Sequence, residues 1–274
     1  MAIPSRVAER LAAGLKRFQP VLQSARNRDV NESDTSMIVT DMLADVFGYD
    51  KYNEITREHC IRGTYCDLAT KIDGKVQILI EVKAIGVELK DAHVKQAVDY
   101  AANLGVEWVA VTNGPVWKIF KVVFGKPIDQ ELVLDVNIFE LNPRTQAHLE
   151  SLYLLTRESV VRSALSEYHD FKQATSRFFL AAVLTSDSVL EVVRRELRRV
   201  SNDVKITIDE LRDALSREVL KREVIEGEKA DQARKKVARA AKNVLRLKKD
   251  RADDSSAKAS AAPRVDVNST EPLV

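Results

Sequence analysis

The sequence predicts an α/β fold: a mixed β-sheet flanked by helices, followed by an all-helical C-terminal region. Three observations predict it. Six short apolar segments, bounded by turn residues such as Asp73-Gly74 and Asn113-Gly114, follow two helical stripes. One further helix interrupts the six, so strands on either side of it can pair in parallel across a crossover. Beyond about residue 143 the strand-like segments stop and helical spacing takes over.

Residues 5–28 carry a helical stripe of Val7, Leu11, Leu15 and Phe18, with Pro20 expected to kink or break it. A second helix is expected to start at "NESD", with Asn31 as N-cap and Asp34 three residues on. Its stripe is Val39, Met42, Leu43, Val46 and Phe47, and Gly48 ends it. Glu32 lies two turns before Val39, so its carboxylate points from the helix start toward whatever the stripe packs on. Strands are expected at 54–62, 64–71, 75–83, 106–112, 116–123 and 131–138. The intervening helix, 90–104, has Val94, Ala97, Val98 and Ala101 on its apolar face and Gly105 as C-cap. Residues 145–170, 171–200 and 207–250 read as three long helices, the last capped by Thr207 with Glu210 three residues on. From 252 the Ser/Ala-rich tail has no period and is expected to be disordered. The organisation is therefore 1–143 as an α/β domain, 144–251 as a helical DNA-binding or oligomerisation region, and 252–274 as a tail.

Composition narrows the classes. Hydrophobic residues at 45% and charged residues at 31% fit a soluble globular protein. The net charge of +2 hides an asymmetry: "KADQARKKVARAAKNVLRLKKDR" (229–251) alone carries ten Lys or Arg against two Asp. Charges interrupt every apolar run of the N-terminus, which excludes a signal peptide and a membrane span there. The only cysteines, Cys60 and Cys66, have no His nearby, so both read as small core residues in a reducing, cytoplasmic setting. No GxxxxGK[ST] phosphate loop occurs, which argues against an NTPase and a nucleotide cofactor.

The chemistry concentrates in "YCDLATKIDGKVQILIEVKA" (65–84), which places Asp67, Glu81 and Lys83 among apolar strand residues. A two-residue Asp-Gly turn would put Asp67 opposite Ile80, facing away from Glu81. A three-residue loop through Gly74 would put Asp67 opposite Leu79, with Glu81 its diagonal neighbour on one face. That loop, or an equivalent bulge, is expected. Two carboxylates and a lysine on one face suit a divalent cation: hard oxygens match Mg²⁺, and Mn²⁺ is an alternative. Glu32 is a third acidic candidate. On the crossover helix Gln96 and Tyr100 stand one turn apart beside His93, placed to hold a phosphate, a base or the shell of the metal.

Asp67 followed by "EVK" (Glu81, Val82, Lys83) resembles the D…ExK motif of the PD-(D/E)xK nuclease superfamily. More narrowly, "NESDT", "FGYD", "DLATKIDGKVQILIEVKA", "QAVDYA" and "VAVTNGPVWKIF" resemble the N-terminal nuclease domain of type I restriction enzyme R subunits, over roughly residues 30–125. The resemblance implies a restriction-endonuclease-like fold with Asp67 and Glu81 as metal ligands and Lys83 as catalytic lysine. It likewise makes Glu32 the helix acidic residue and Gln96 with Tyr100 the QxxxY pair. Cys66 stands where the proline of the motif's name would be, and the helicase-like motor that follows in R subunits is missing, so ATP-driven translocation is not expected. The implied activity is a Mg²⁺-dependent DNA endonuclease of restriction type, with a homodimer through the C-terminal helices as a route to cutting both strands.

Plainer readings stand beside these. Glu81 and Lys83 fit a solvent-facing strand as well, and an inactive nuclease fold could bind nucleic acid or recruit a partner. His93 reads as a solvated helix residue, Glu58 as a sheet-surface charge, Trp108 and Trp117 as core aromatics, and Asn113 and Gly114 as turn formers. The basic run fits both a solvated or coiled-coil helix and an arm that tracks phosphates.

Overall fold

A computed structural model of the chain describes residues 3–61, 64–201 and 205–242, with the side chains of 58–65 excepted. The chain divides into two compact units after His169. The first is built on a six-stranded sheet in the order β1-β2-β3-β4-β5-β6: β1 (Ile55–Ile61), β2 (Thr64–Ile72), β3 (Lys75–Val82), β4 (Trp108–Thr112), β5 (Val116–Val123) and β6 (Asp129–Asn137). Neighbours run antiparallel except β3 and β4, which are parallel. Helices α1 (Ser5–Asn27) and α2 (Glu32–Asp45) precede the sheet, and α3 (Asp91–Leu104) makes the crossover between β3 and β4. The fold class is thus the one the sequence implies, a mixed sheet flanked by helices with a helical C-terminal region.

Two apolar clusters sandwich the sheet. On one side Leu11, Leu15, Phe18 and Leu22 of α1 and Val39, Met42 and Leu43 of α2 join Leu68, Ile78, Ile80 and Val82. On the other, Val94, Ala97, Val98 and Ala101 of α3 join Leu79, Val109 and Val111. The alternation of Ile78, Ile80 and Val82 with Leu79 between the clusters is the two-residue period of a strand buried on both faces.

Asn31 caps α2 as its sequence suggests, its Oδ1 accepting from the backbone N–H of Asp34 at 2.9 Å. Gly105 ends α3 in the left-handed conformation. Pro20 departs from expectation: it lies inside an unbroken α1. The helix loses one backbone hydrogen bond there, and the burial of Phe18 and Leu22 on either side of it holds the helical path across the gap.

The β2–β3 hairpin has the two-residue turn and not the three-residue loop, and it reaches the shared face through the equivalent bulge. Asp73 and Gly74, at φ 51° and 76°, make a two-residue turn that pairs Ile72 with Lys75. Gln77 is then accommodated as an extra residue on β3, because Lys71 pairs with Val76 and Thr70 with Ile78. The bulge shifts the register to Leu68 opposite Ile80, which carries Asp67 across from Glu81 itself rather than onto a diagonal.

After the sheet, α4 (Gln146–Tyr153), α5 (Arg157–Val161) and α6 (Ala164–Ala174) follow in turn. Leu149, Leu152 and Tyr153 of α4 and Ala164 and Leu165 at the start of α6 belong to the cluster of α1 and α2, and Val160 of α5 packs against it, so these segments are part of the first unit. The second unit contains α7 (Arg177–Leu184), α8 (Asp187–Val200), α9 (Ile208–Ala214), α10 (Arg222–Ile225) and a helix from 228 through 242. The three long helices expected beyond 145 are therefore a run of shorter ones. Hydroxyl side chains interrupt them: Thr156 and Ser176 accept from the backbone N–H groups of Ser159 and Phe179, starting new helices inside the apolar periodicity. Thr207 caps α9 with Glu210 as a reciprocal box, as expected. In the last helix Ala230 and Ala233 are buried and Val237 half-buried, while the Lys and Arg side chains through 242 are exposed. The rest of the basic run, the tail from 252 and the side chains of Glu58 and Cys60 lie outside the described residues. No described helix is long and apolar enough to cross a membrane.

Candidate active site

The parallel strands β3 and β4 end together, Val82 beside Thr112, and the chain's charged constellation gathers at that end. Glu81 is 1% exposed although it is a carboxylate. Its Oε1 accepts from the Lys83 ammonium at 2.7 Å, and its Oε2 is buried with no hydrogen-bond partner among the described residues. Asp67, opposite on β2, accepts from the backbone N–H of Val82 at 2.7 Å. The Lys83 ammonium also lies 3.7 Å from Glu32 Oε2, which the first residue of α2 brings in from across the sheet end. Asp67, Glu81, Lys83 and Glu32 are thus brought together.

The electrostatics follow from burial. Desolvation lifts the Glu81 carboxyl above its usual range; the Lys83 hydrogen bond works against the lift and the Asp67 charge adds to it. For Lys83, burial disfavours the charge, yet the Glu81 hydrogen bond and the charges of Glu81, Glu32 and Asp67 outweigh it and hold the ammonium above its ordinary value. Lys83 is therefore protonated at neutral pH and acts as a fixed cation. Burial first, then the charges of Glu81 and Asp67, pushes the Cys66 thiol up to about 12, so this buried cysteine is an inert neighbour.

Gln96 and Tyr100 are joined to each other, Gln96 Nε2 donating to Tyr100 Oη at 3.2 Å. Tyr100 packs against the cluster that holds Leu79 and Cys66, whereas Gln96 is exposed. His93 is half-exposed, and its Nδ1 accepts from the Lys90 backbone N–H. Trp117 is the buried aromatic expected, donating to the Gly114 carbonyl and meeting Phe47 edge to face at 5.3 Å. Trp108 is half-buried, its ring edge-on to His169 at 6.3 Å.

Two features had no side-chain signal in the sequence. One is the Val82 N–H that holds Asp67. The other is the Thr112 carbonyl that accepts from the Lys83 backbone N–H at 2.8 Å. Among the described residues, no group of three or more His, Cys, Asp or Glu is disposed to hold a metal ion. Asp67 and Glu81 face each other across β2 and β3.

The site thus consists of opposed carboxylates on β2 and β3, with a lysine just beyond the end of β3. Residues 38–133 match the family model described as type I restriction enzyme R protein N terminus. That segment spans β1 to β5 and includes Asp67, Glu81, Lys83, Gln96 and Tyr100, while Glu32 precedes it. No curated protein and no solved structure gives a significant match to the chain.

Proposed function

We propose that the protein is a metal-dependent endonuclease that hydrolyses DNA phosphodiester bonds, with Mg²⁺ or Mn²⁺ held by Asp67 and Glu81. The observation that carries this reading is the partnerless, buried Glu81 Oε2 across from Asp67. A carboxylate oxygen desolvated without a donor is costly, and a hard cation would satisfy it. When bound, the cation would polarise the phosphodiester and lower the pKa of a water. Two protein carboxylates suffice for Mg²⁺, which keeps several waters and takes phosphate oxygens as further ligands.

The protein's own groups then have distinct parts. The Val82 N–H fixes the Asp67 carboxylate in orientation. Lys83, being protonated, is unsuited to take a proton from the attacking water. Its ammonium instead donates hydrogen bonds to the phosphoryl oxygens on which charge develops. Glu32 keeps that ammonium near the substrate side of Glu81. Gln96 and Tyr100 offer an amide and a phenol for a phosphate or a base.

Supercoiled plasmid incubated with Mg²⁺ tests the proposal, with Asp67→Ala and Lys83→Ala beside wild type. Cleavage by wild type alone is expected. A second reading, a nuclease fold that binds nucleic acid without cutting it, draws on the Glu81–Lys83 ion pair, which occupies one carboxylate oxygen without a metal. Binding without cleavage in both Mg²⁺ and Mn²⁺ would establish it instead.

A further inference from the structure

The turn between β4 and β5 carries a side chain that reaches beyond the turn. Asn113 is buried, and its Oδ1 accepts from the Val116 N–H at 3.0 Å, closing the turn locally. Its Nδ2 donates in the other direction, to the Val87 carbonyl at 2.9 Å and the Ile85 carbonyl at 3.5 Å. One residue earlier the Thr112 carbonyl takes the Lys83 N–H. The chain leaving the site is thus tied to the end of β4 at residues 83, 85 and 87, first by main chain and then by one amide. It enters α3 four residues later, at Asp91.

Closing the turn needs only an acceptor at 113, which an aspartate would supply equally well. The amide donor is surplus to the turn, and its hydrogen bonds go to the segment after Lys83. We infer that Asn113 is a positioning residue for the reaction: it clamps residues 84–90 and so fixes the root of Lys83 and the approach to the helix of Gln96 and Tyr100. The inference rests on the nuclease reading of Lys83. A lysine is a point charge on a long flexible stem, so where its ammonium sits depends on how its backbone is held. Misplacement by about 1 Å can cost on the order of 100-fold in rate.

Asn113→Asp tests this in the full chain, because it keeps shape and the turn acceptor while removing the donor. Asn113→Ser, which can accept in the turn but is too short to span to 85 and 87, serves if the aspartate variant does not fold. Two readouts are taken: amide hydrogen exchange by segment, and DNA cleavage rate at saturating DNA alongside the DNA concentration for half-maximal rate. Exchange over 84–90 is expected to accelerate while β4 and β5 stay protected. The saturating rate is expected to fall at least about tenfold, with half-saturation moving by less than about twofold. Unchanged exchange over 84–90, an unchanged rate, or loss of protection spread through β4 and β5 would each overturn the positioning role. Wild type that cuts no DNA would instead overturn the nuclease reading, while exchange would still report whether the clamp exists.

Discussion

The Lys83 ammonium lies 2.7 Å from one oxygen of Glu81, and the other oxygen of that carboxylate is buried without a hydrogen-bond partner among the described residues. The protein therefore satisfies half of a buried charge and leaves the other half unsatisfied. Sites that store such a cost are commonly functional, and the cost itself can be measured.

Glu81→Gln removes the unsatisfied charge while leaving an oxygen for Lys83. Its new amide sits across from Asp67, a carboxylate able to accept from it. Without metal the variant is expected to be more stable than wild type by about 1–3 kcal/mol, read as a rise in melting temperature in chelator. A variant that melts at or below wild type would show that Glu81 Oε2 carries no penalty.

The same pair fixes a pH dependence. The folded Glu81 pKa is raised, so its contribution to stability is complete below the ordinary carboxylate value and is lost as pH rises through the raised one. The advantage of Glu81→Gln over wild type should therefore be largest at neutral pH and close as pH falls through the carboxylate range. Denaturant melts across that range check the sign.

Arg10 predicts the opposite slope. It donates to the Val46 carbonyl at 2.9 Å and to both oxygens of Glu158 at 2.8 and 2.7 Å, tying α1 to the end of α2 and to α5. Burial alone would raise the Glu158 carboxyl, but the hydrogen bonds from Arg10 and from the Glu158 backbone N–H, with the charges of Arg10 and Arg157, outweigh it and hold it below its usual range. That contribution is present above the ordinary carboxylate value and is lost as pH falls through the depressed one. Arg10→Ala should cost about 2 kcal/mol at neutral pH, since both side chains are less than a third exposed, and less in acid. Arg10→Lys should recover little of it, because an ammonium cannot reproduce the fork.

Two glycines separate backbone strain from crowding. Gly74 has φ +76° and nothing within 4 Å of an added Cβ, so Gly74→Ala should cost about 1 kcal/mol through conformation alone. Gly114 has φ +93° and Leu22 Cδ2 at 3.1 Å from such a Cβ, so Gly114→Ala should cost more. Equilibrium unfolding of the two variants compares them directly.

The strands were legible because each is a short apolar segment between turn signals, Asp73-Gly74 and Asn113-Gly114 among them, and β3 and β4, covered on both faces, are near-continuous apolar runs. The pairing of Asp67 with Glu81 was legible only as a condition, since a Gln77 bulge is a local accommodation with no residue signature of its own. Pro20 misled because a helix packed on both sides of a proline tolerates one lost hydrogen bond. The short C-terminal helices were hidden because Thr156 and Ser176 sit within an uninterrupted apolar period, where their capping role depends on backbone geometry. Asn113 read as a turn former, which it is. Its second role involves main-chain carbonyls 28 and 26 residues away, at Ile85 and Val87, and backbone groups leave no trace in a side-chain pattern.

Calorimetric titration of Mn²⁺ into the metal-free protein, without DNA, tests most directly whether Asp67 and Glu81 form a cation site. Wild type should bind the ion with release of heat or protons, and Asp67→Asn and Glu81→Gln should each abolish that binding while Gln96→Ala retains it. Binding that survives both carboxylate substitutions, or wild type that binds no ion, would show that Asp67 and Glu81 do not form a cation site.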